Sequence, residues 1–204
     1  MFTGPIIIGN NTPANGSTAV FVGGNGNGQV PTVQASIIAD LGVASSLGMQ
    51  SNETNGTIQI GDSSTAGVLE YIGTNAASTD RKVSVGSSSG GSGSATILNN
   101  NTNAATTLTF SNPQFNLPAT NVTIYNRNLT LGGTNSGDNT VAGVISDNVG
   151  TSGGKVSIIK NGAGTWVLSG TNTYSGNTTV AGGKLKAGLI AGLGVASSLG
   201  QPTT

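Results

Sequence analysis

The sequence predicts an all-β fold, a parallel β-helix solenoid, and three observations carry that expectation. The octapeptide Leu41-Gly-Val-Ala-Ser-Ser-Leu-Gly48 recurs unchanged from Leu193 to Gly200. Residues 41–192 therefore read as one complete repeat module and residues 193–204 as the start of the next. Residues 1–40 read as divergent N-terminal coils or a cap. Composition is the second observation. With Gly 34 of 204 residues, only 7% charged and 4% aromatic, the chain is rich in turn formers and poor in strong helix formers. The third is rhythm: short Val/Ile/Leu/Thr runs alternate with Gly/Asn/Ser punctuation at spacings typical of all-β architectures.

In chain order the predicted strands are Ala19 to Val22, Thr57 to Ile60, Gly67 to Ile72, Lys82 to Val85, Ala95 to Leu98 and Thr106 to Phe110. They continue with Asn121 to Tyr125, Asn128 to Leu131, Thr140 to Ile145, Lys155 to Lys160, Thr165 to Leu168, Thr178 to Val180 and Lys184 to Ile190. In Thr106-Thr-Leu-Thr-Phe110 and Asn121-Val-Thr-Ile-Tyr125 apolar and polar residues alternate, which gives one buried and one wet face. Outside the stretch from Val33 to Leu47 no helix longer than about two turns is expected, because no sustained i, i+3, i+4 apolar pattern occurs. An antiparallel sandwich is compatible with the spacing, but tight two-residue hairpin turns are not a regular feature and a long repeat favours stacking. The many Asn residues, Asn99-Asn-Asn101 among them, suit either left-handed turns or side-chain ladders up successive coils.

Several functions are disfavoured by what the chain contains. Seven basic residues balance seven acidic ones, so no electrostatic footprint for nucleic acid is present. Cys and His are both absent, which removes disulfides and zinc-type sites. No apolar run is long enough to insert in a membrane, and Met1-Phe-Thr-Gly-Pro5 lacks the features of a signal peptide, so an export signal is expected outside this segment, in a parent polypeptide that continues beyond Thr204. The acids Asp40, Glu53, Asp62, Glu70, Asp80, Asp138 and Asp147 are dispersed, and Asp80-Arg81-Lys82 reads as a charged turn or an Asp-Arg clamp between coils. Gly-Asp occurs only at Gly61-Asp62 and Gly137-Asp138, without the nonapeptide period of a calcium-binding β-roll. Thr106-Thr-Leu-Thr109 and Thr171-Asn-Thr173 lack the constant coil period of an ice-binding face. Neither a cofactor nor a metal is expected, and no catalytic residue is assigned.

The most specific signal lies between Lys160 and Leu185, Lys-Asn-Gly-Ala-Gly-Thr-Trp-Val-Leu-Ser-Gly-Thr-Asn-Thr-Tyr-Ser-Gly-Asn-Thr-Thr-Val-Ala-Gly-Gly-Lys-Leu. It closely resembles the autotransporter-associated β-strand repeat, or passenger-associated transport repeat. The positions that carry the resemblance are Gly162, Gly164, Trp166, Leu168, Gly170, Asn172, Tyr174, Gly176, Val180, Gly183 and Leu185. Asp138 to Asp147 and Ala77 to Arg81 resemble segments that recur upstream of it, whereas residues 1–40 lack the Trp and Tyr of the motif at the matching offset. The resemblance implies a right-handed parallel β-helix in a secreted or surface-displayed bacterial protein. Alternation along the Trp166 strand sends Trp166 and Leu168 inward and Val167 the other way or into a corner. Tyr174, in a turn-rich stretch, is expected to be more exposed than Trp166. An aromatic line through Tyr71, Tyr125, Trp166 and Tyr174 would bind glycan by stacking, although a lone Trp more often packs in a core.

The function expected on these grounds is a non-enzymatic stalk or adhesin element of an extracellular or cell-surface protein. Its expected partners are neighbouring modules or further copies end to end, with a glycan or host surface as a further candidate. The first alternative is a self-assembling filament subunit, favoured by a C-terminal edge with no capping helix in view. The second is a carbohydrate-active β-helix enzyme.

Overall fold

The computed structural model describes residues 6–8, 20–22, 30–62, 64–86, 92–115, 125–147 and 154–203. Alternation is the local rule from which it is built. In Gly67–Tyr71, Ala95–Asn99 and Val156–Lys160 every second residue is buried and those between are half-exposed, as a strand with one face on a core requires. The N-terminal strands are β1 (Ile6–Ile8), β2 (Val20–Val22) and β3 (Thr32–Ala35). One turn of helix, α1 (Glu53–Gly56), is capped by the Asn52 side chain, which accepts from Asn55 N at 2.9 Å. Next come β4 (Ile58–Ile60), β5 (Gly67–Tyr71), β6 (Ala77–Thr79), β7 (Val83–Val85), β8 (Ala95–Asn99) and β9 (Leu108–Phe110). The last six are β10 (Arg127–Gly132), β11 (Asn139–Val141), β12 (Val156–Lys160), β13 (Thr165–Leu168), β14 (Thr178–Val180) and β15 (Lys184–Ala187).

Three sheets result, in the orders β1-β2-β4-β7, β14-β12-β10-β8-β5-β3 and β15-β13-β11-β9-β6. Every strand pairing in them is parallel. Because the chain visits the sheets in turn, each circuit lays one coil on the last, about 4.8 Å along the axis. This is the architecture of a right-handed parallel β-helix.

Parallel register stacks like on like. Val33, Leu69, Ile97, Leu131, Lys160 and Val180 form one column of the second sheet. Thr79, Phe110, Val141, Leu168 and Ala187 form a column of the third. These inward columns make a single continuous apolar core, where each fully buried aliphatic side chain contributes roughly 1.5–3 kcal/mol. Phe110 and Phe115 meet edge to face in it, with centroids 5.5 Å apart.

Several expectations change at this point. The stretch from Val33 to Leu47 contains no helix: β3 occupies its start, where Val33 and Ala35 turn inward against β5, and positive φ at Gly42 interrupts its second half. Strands β1, β3 and β6 were not predicted, β1 being only three residues long and β3 and β6 short and of mixed polarity. The predicted runs 140–145 and 184–190 are cut to Asn139–Val141 and Lys184–Ala187. Of the run Asn121 to Tyr125, and of Ala19, all but Tyr125 lies outside the described residues. Asn side chains bond both across coils and within turns, and the positive φ values among the described residues fall on Gly. The Asn99 amide donates to Asn139 Oδ1 at 2.7 Å across coils, while Asn99, Asn101, Asn103, Asn112 and Asn135 each accept from the backbone N two residues on, an Asx turn.

Asp80-Arg81-Lys82 is not a surface charged turn. Arg81 is buried and points between coils, donating to Gly56 O at 2.6 Å and Leu47 O at 3.1 Å. Asp80 instead accepts from Leu41 N, and Lys82 pairs with Glu53 at 2.7 Å. Arg127 is likewise internal, donating to Val85 O. Burial lowers both guanidinium pKa values to about 10, which leaves both charged at neutral pH.

Candidate functional site

The motif residues occupy two stacked coils at one end of the solenoid. Strand β13 is placed by its pairing with β11, which sets Trp166 beside Asn139 and Leu168 beside Val141. Trp166 and Leu168 are wholly buried, with Val167 half-exposed on the opposite face. The indole N–H donates to Gly132 O at 3.0 Å, so its one polar atom is satisfied inside the core.

The turn before β13 requires glycine. Gly162 has φ +71°, and a methyl there would lie 2.5 Å from Gly133 O; a methyl on Gly164 would lie 2.5 Å from Asn135 O. Gly170 packs on the Gly143 carbonyl, Gly176 on the Val156 carbonyl and Gly183 on that of Gly164, so the coils touch backbone to backbone at these corners. Lys160 closes the same turn from within. Two residues beyond Ile158 on β12, it must point inward, and it is wholly buried in a column otherwise made of aliphatic side chains. Its ammonium donates to Asn161 O at 2.6 Å, Gly162 O at 2.9 Å and Gly182 O at 3.0 Å. Burial lowers its pKa. Three carbonyls replace the lost water, and the charge acts as a clamp joining two coils.

Asn172 is buried and joins three segments: its side chain accepts from Ile145 N and donates to Ser198 O, both at 2.8 Å. Tyr174 is also wholly buried, contrary to the exposure expected of it, because residues 197–201 fold over it. Gln201 N donates to Tyr174 O, and the Tyr174 hydroxyl bonds Thr178 Oγ1 at 2.6 Å. Leu185 is partly buried against the core and Val180 is 54% exposed on the last coil. With Trp166, Tyr174 and Tyr71 all inside and only Tyr125 exposed at 61%, the aromatic line proposed for glycan stacking does not form.

Burial raises the Tyr174 pKa above its ordinary 10.0, opposed by the Thr178 bond. The folded protein therefore holds this proton where the unfolded chain releases it. Stability from this group is complete below pH 10.0 and is lost as pH rises through the raised folded value. Melting temperature should stay level into mild alkali and fall above that point, and the fall should be shallower in Tyr174→Phe. A pH series of thermal melts checks this.

Asp40, Asp62, Asp80 and Asp147 serve the backbone. Asp62 accepts from Ser64 N and Thr65 N; Asp147 accepts from Val156 N, Ser175 N and the Ser175 hydroxyl. Glu70 accepts from Gln34 and Asn100, and Asp138 pairs with Lys186 at 2.7 Å on the surface. Among the described residues no three His, Cys, Asp or Glu groups converge on a metal site, and no helix is long and apolar enough to cross a membrane. Melting temperatures in excess calcium and in chelator should coincide, since the dispersed acids of the described residues offer mass action no site to work on.

Residues 158–187 match the passenger-associated-transport-repeat family. The chain is also 37% identical, over 151 residues, to the adhesin BmaC autotransporter of Brucella suis biovar 1 (strain 1330). It is a parallel β-sheet repeat protein that resembles autotransporter passengers. That alignment covers 74% of this chain and 4% of the adhesin. No solved structure matches the chain. Inward-facing residues to which the sequence alone gave no role are Asn139, Arg127 and Lys160. Phase was the available signal for two of them: Arg127 stands two and four residues before Leu129 and Leu131, and Lys160 two and four after Ile158 and Val156.

Proposed function

We propose that this chain is a non-enzymatic structural segment of a bacterial extracellular or cell-surface protein, a stalk or adhesin element whose useful property is length. Residues 41–192 serve as one module and residues 193–204 open the next. The observation that carries this reading is the interior. Trp166, Arg81, Arg127, Lys160 and the amides of Asn139 and Asn172 are turned inward and bonded to backbone carbonyls, so their chemistry holds coils together. Electron microscopy or small-angle scattering tests it: particles should be elongated, with a cross-section that does not change with concentration. A compact particle, or release of sugar ends from a polysaccharide, would reject the reading.

Exposed apolar side chains on the coil of residues 178–195 favour a second reading, a filament subunit. Val180, Leu189, Ile190, Leu193 and Val195 are each about half or more exposed there, and β14 and β15 pair on one side only. Particle length that grows with concentration, and persists in high salt because the contact is apolar and backbone-paired, would select it over the stalk.

A further inference from the structure

The loop that carries the repeated octapeptide appears twice in this molecule, once covered and once bare. Residues 37–50 and 189–202 are hydrogen-bonded alike. Ser46 N donates to Ile37 O at 2.9 Å and Ser198 N to Leu189 O at 3.0 Å; Gly42 N donates to Gln50 O and Gly194 N to Pro202 O. The Ser45 hydroxyl donates to Gly48 O at 3.0 Å and the Ser197 hydroxyl to Gly200 O at 2.9 Å. Gly42 and Gly194 share the left-handed region, with φ 76° and 74°.

The neighbours differ. Over the first loop lies the corner Thr79-Asp80-Arg81 of the next coil. Thr79 Oγ1 donates to Ala39 O at 2.9 Å, Asp80 Oδ1 accepts from Leu41 N at 2.8 Å, and Arg81 donates to Leu47 O at 3.1 Å. Beneath that corner Ile38 is 4% exposed. The second loop rests on the preceding coil, where Ser197 and Asn172 exchange backbone bonds, but its far side is open. Ile190, the counterpart of Ile38, is 74% exposed, whereas Ile37 and its counterpart Leu189 are similar at 56% and 48%.

We propose that the open face of residues 189–200 is a half-site for one kind of partner, the first coil of a further module in the same polypeptide, bearing a Thr-Asp-Arg corner. Its Asp carboxylate takes the Leu193 amide and its Arg guanidinium takes the Leu199 carbonyl. The covered loop fixes both the chemistry and the source, since its corner comes from the same chain one circuit later. This rests on the structural-repeat reading and specifies which coil the end accepts.

The chain has no cysteine, so one introduced thiol reports burial. Ile190→Cys is made in the full chain, and in the full chain extended after Gly200 by a copy of residues 49–86. In the chain alone the thiol should react fast. The extension should slow labelling at least about tenfold, as local opening becomes necessary for access, while Leu189→Cys stays reactive in both. Arg81→Ala within the appended copy should restore most of the rate. Equal protection with and without that arginine would overturn the half-site while leaving stacking intact. No protection from any extension, with Leu189→Cys and the far-UV spectrum normal, would overturn the stacked-repeat reading as well. Protection of the unextended chain that grows with its own concentration would place the partner on another molecule, against the proposal.

Discussion

Trp166→Ala should lower the unfolding free energy by about 3–5 kcal/mol, the range for deleting a buried aromatic. Two losses combine. The indole fills the core between the columns of β11 and β15, and its N–H is the donor to Gly132 O. Because Trp166 is the only tryptophan, the wild-type emission should be that of a buried indole, and the variant must be followed by far-UV circular dichroism in urea. Trp166→Phe separates the two contributions, keeping much of the ring and losing the donor, and should fall between. A fully hydrated wild-type emission spectrum, or a loss below about 1 kcal/mol in the alanine variant, would refute the core assignment.

Asn139→Ala should rank with it although a much smaller side chain is removed. The Asn139 amide donates to Asn135 Oδ1, Gly137 O and Thr165 O, and its Oδ1 accepts from Asn99 Nδ2 at 2.7 Å and Leu108 N at 2.9 Å. Truncation leaves two buried donors without their acceptor, each worth about 1–3 kcal/mol, for a loss of about 2–6 kcal/mol. Asn103→Ala, at an exposed Asx turn in the same corner, should cost about 0.5 kcal/mol or less. If the two alanine variants melt alike in urea, the ladder has no special weight.

Sheet membership could be read from the sequence wherever a run alternated cleanly. Thr165-Trp-Val-Leu168 and Ala95 to Leu98 announce an inward face, and the structure places Trp166, Leu168, Ala95 and Ile97 on it. Alternation says nothing about polar residues that share the inward phase. Lys160 and Arg127 were passed over because a charged residue beside a strand is ordinarily a solvated one. What brings them inside is a supply of carbonyls, those of Asn161, Gly162 and Gly182 for Lys160 and that of Val85 for Arg127, and only the register reveals the ones on other coils. Tyr174 failed for a similar reason. Its local sequence is turn-like and wet, and its burial is decided by residues 197–201, folded back from the following circuit. The charged triplet at Asp80 looked like one unit but divides between coils: Arg81 faces in, Lys82 meets Glu53, and Asp80 holds the Leu41 amide.

The direction of the backbone bonds has a mechanical consequence. Strands run across the solenoid, so the bonds between coils lie along its axis. A pull applied to the two ends loads one interface at a time, opening it like a zipper, and the coil nearest a pulled end gives way before those behind it bear the load. Resistance should therefore be a series of modest, similar forces instead of one high peak. Along the second sheet the thread released at each step should vary, being shortest for the circuit from Lys160 to Val180 and longest for that from Val33 to Leu69. Such a rod would yield gradually under shear and could shorten again, coil upon coil, when the load is removed.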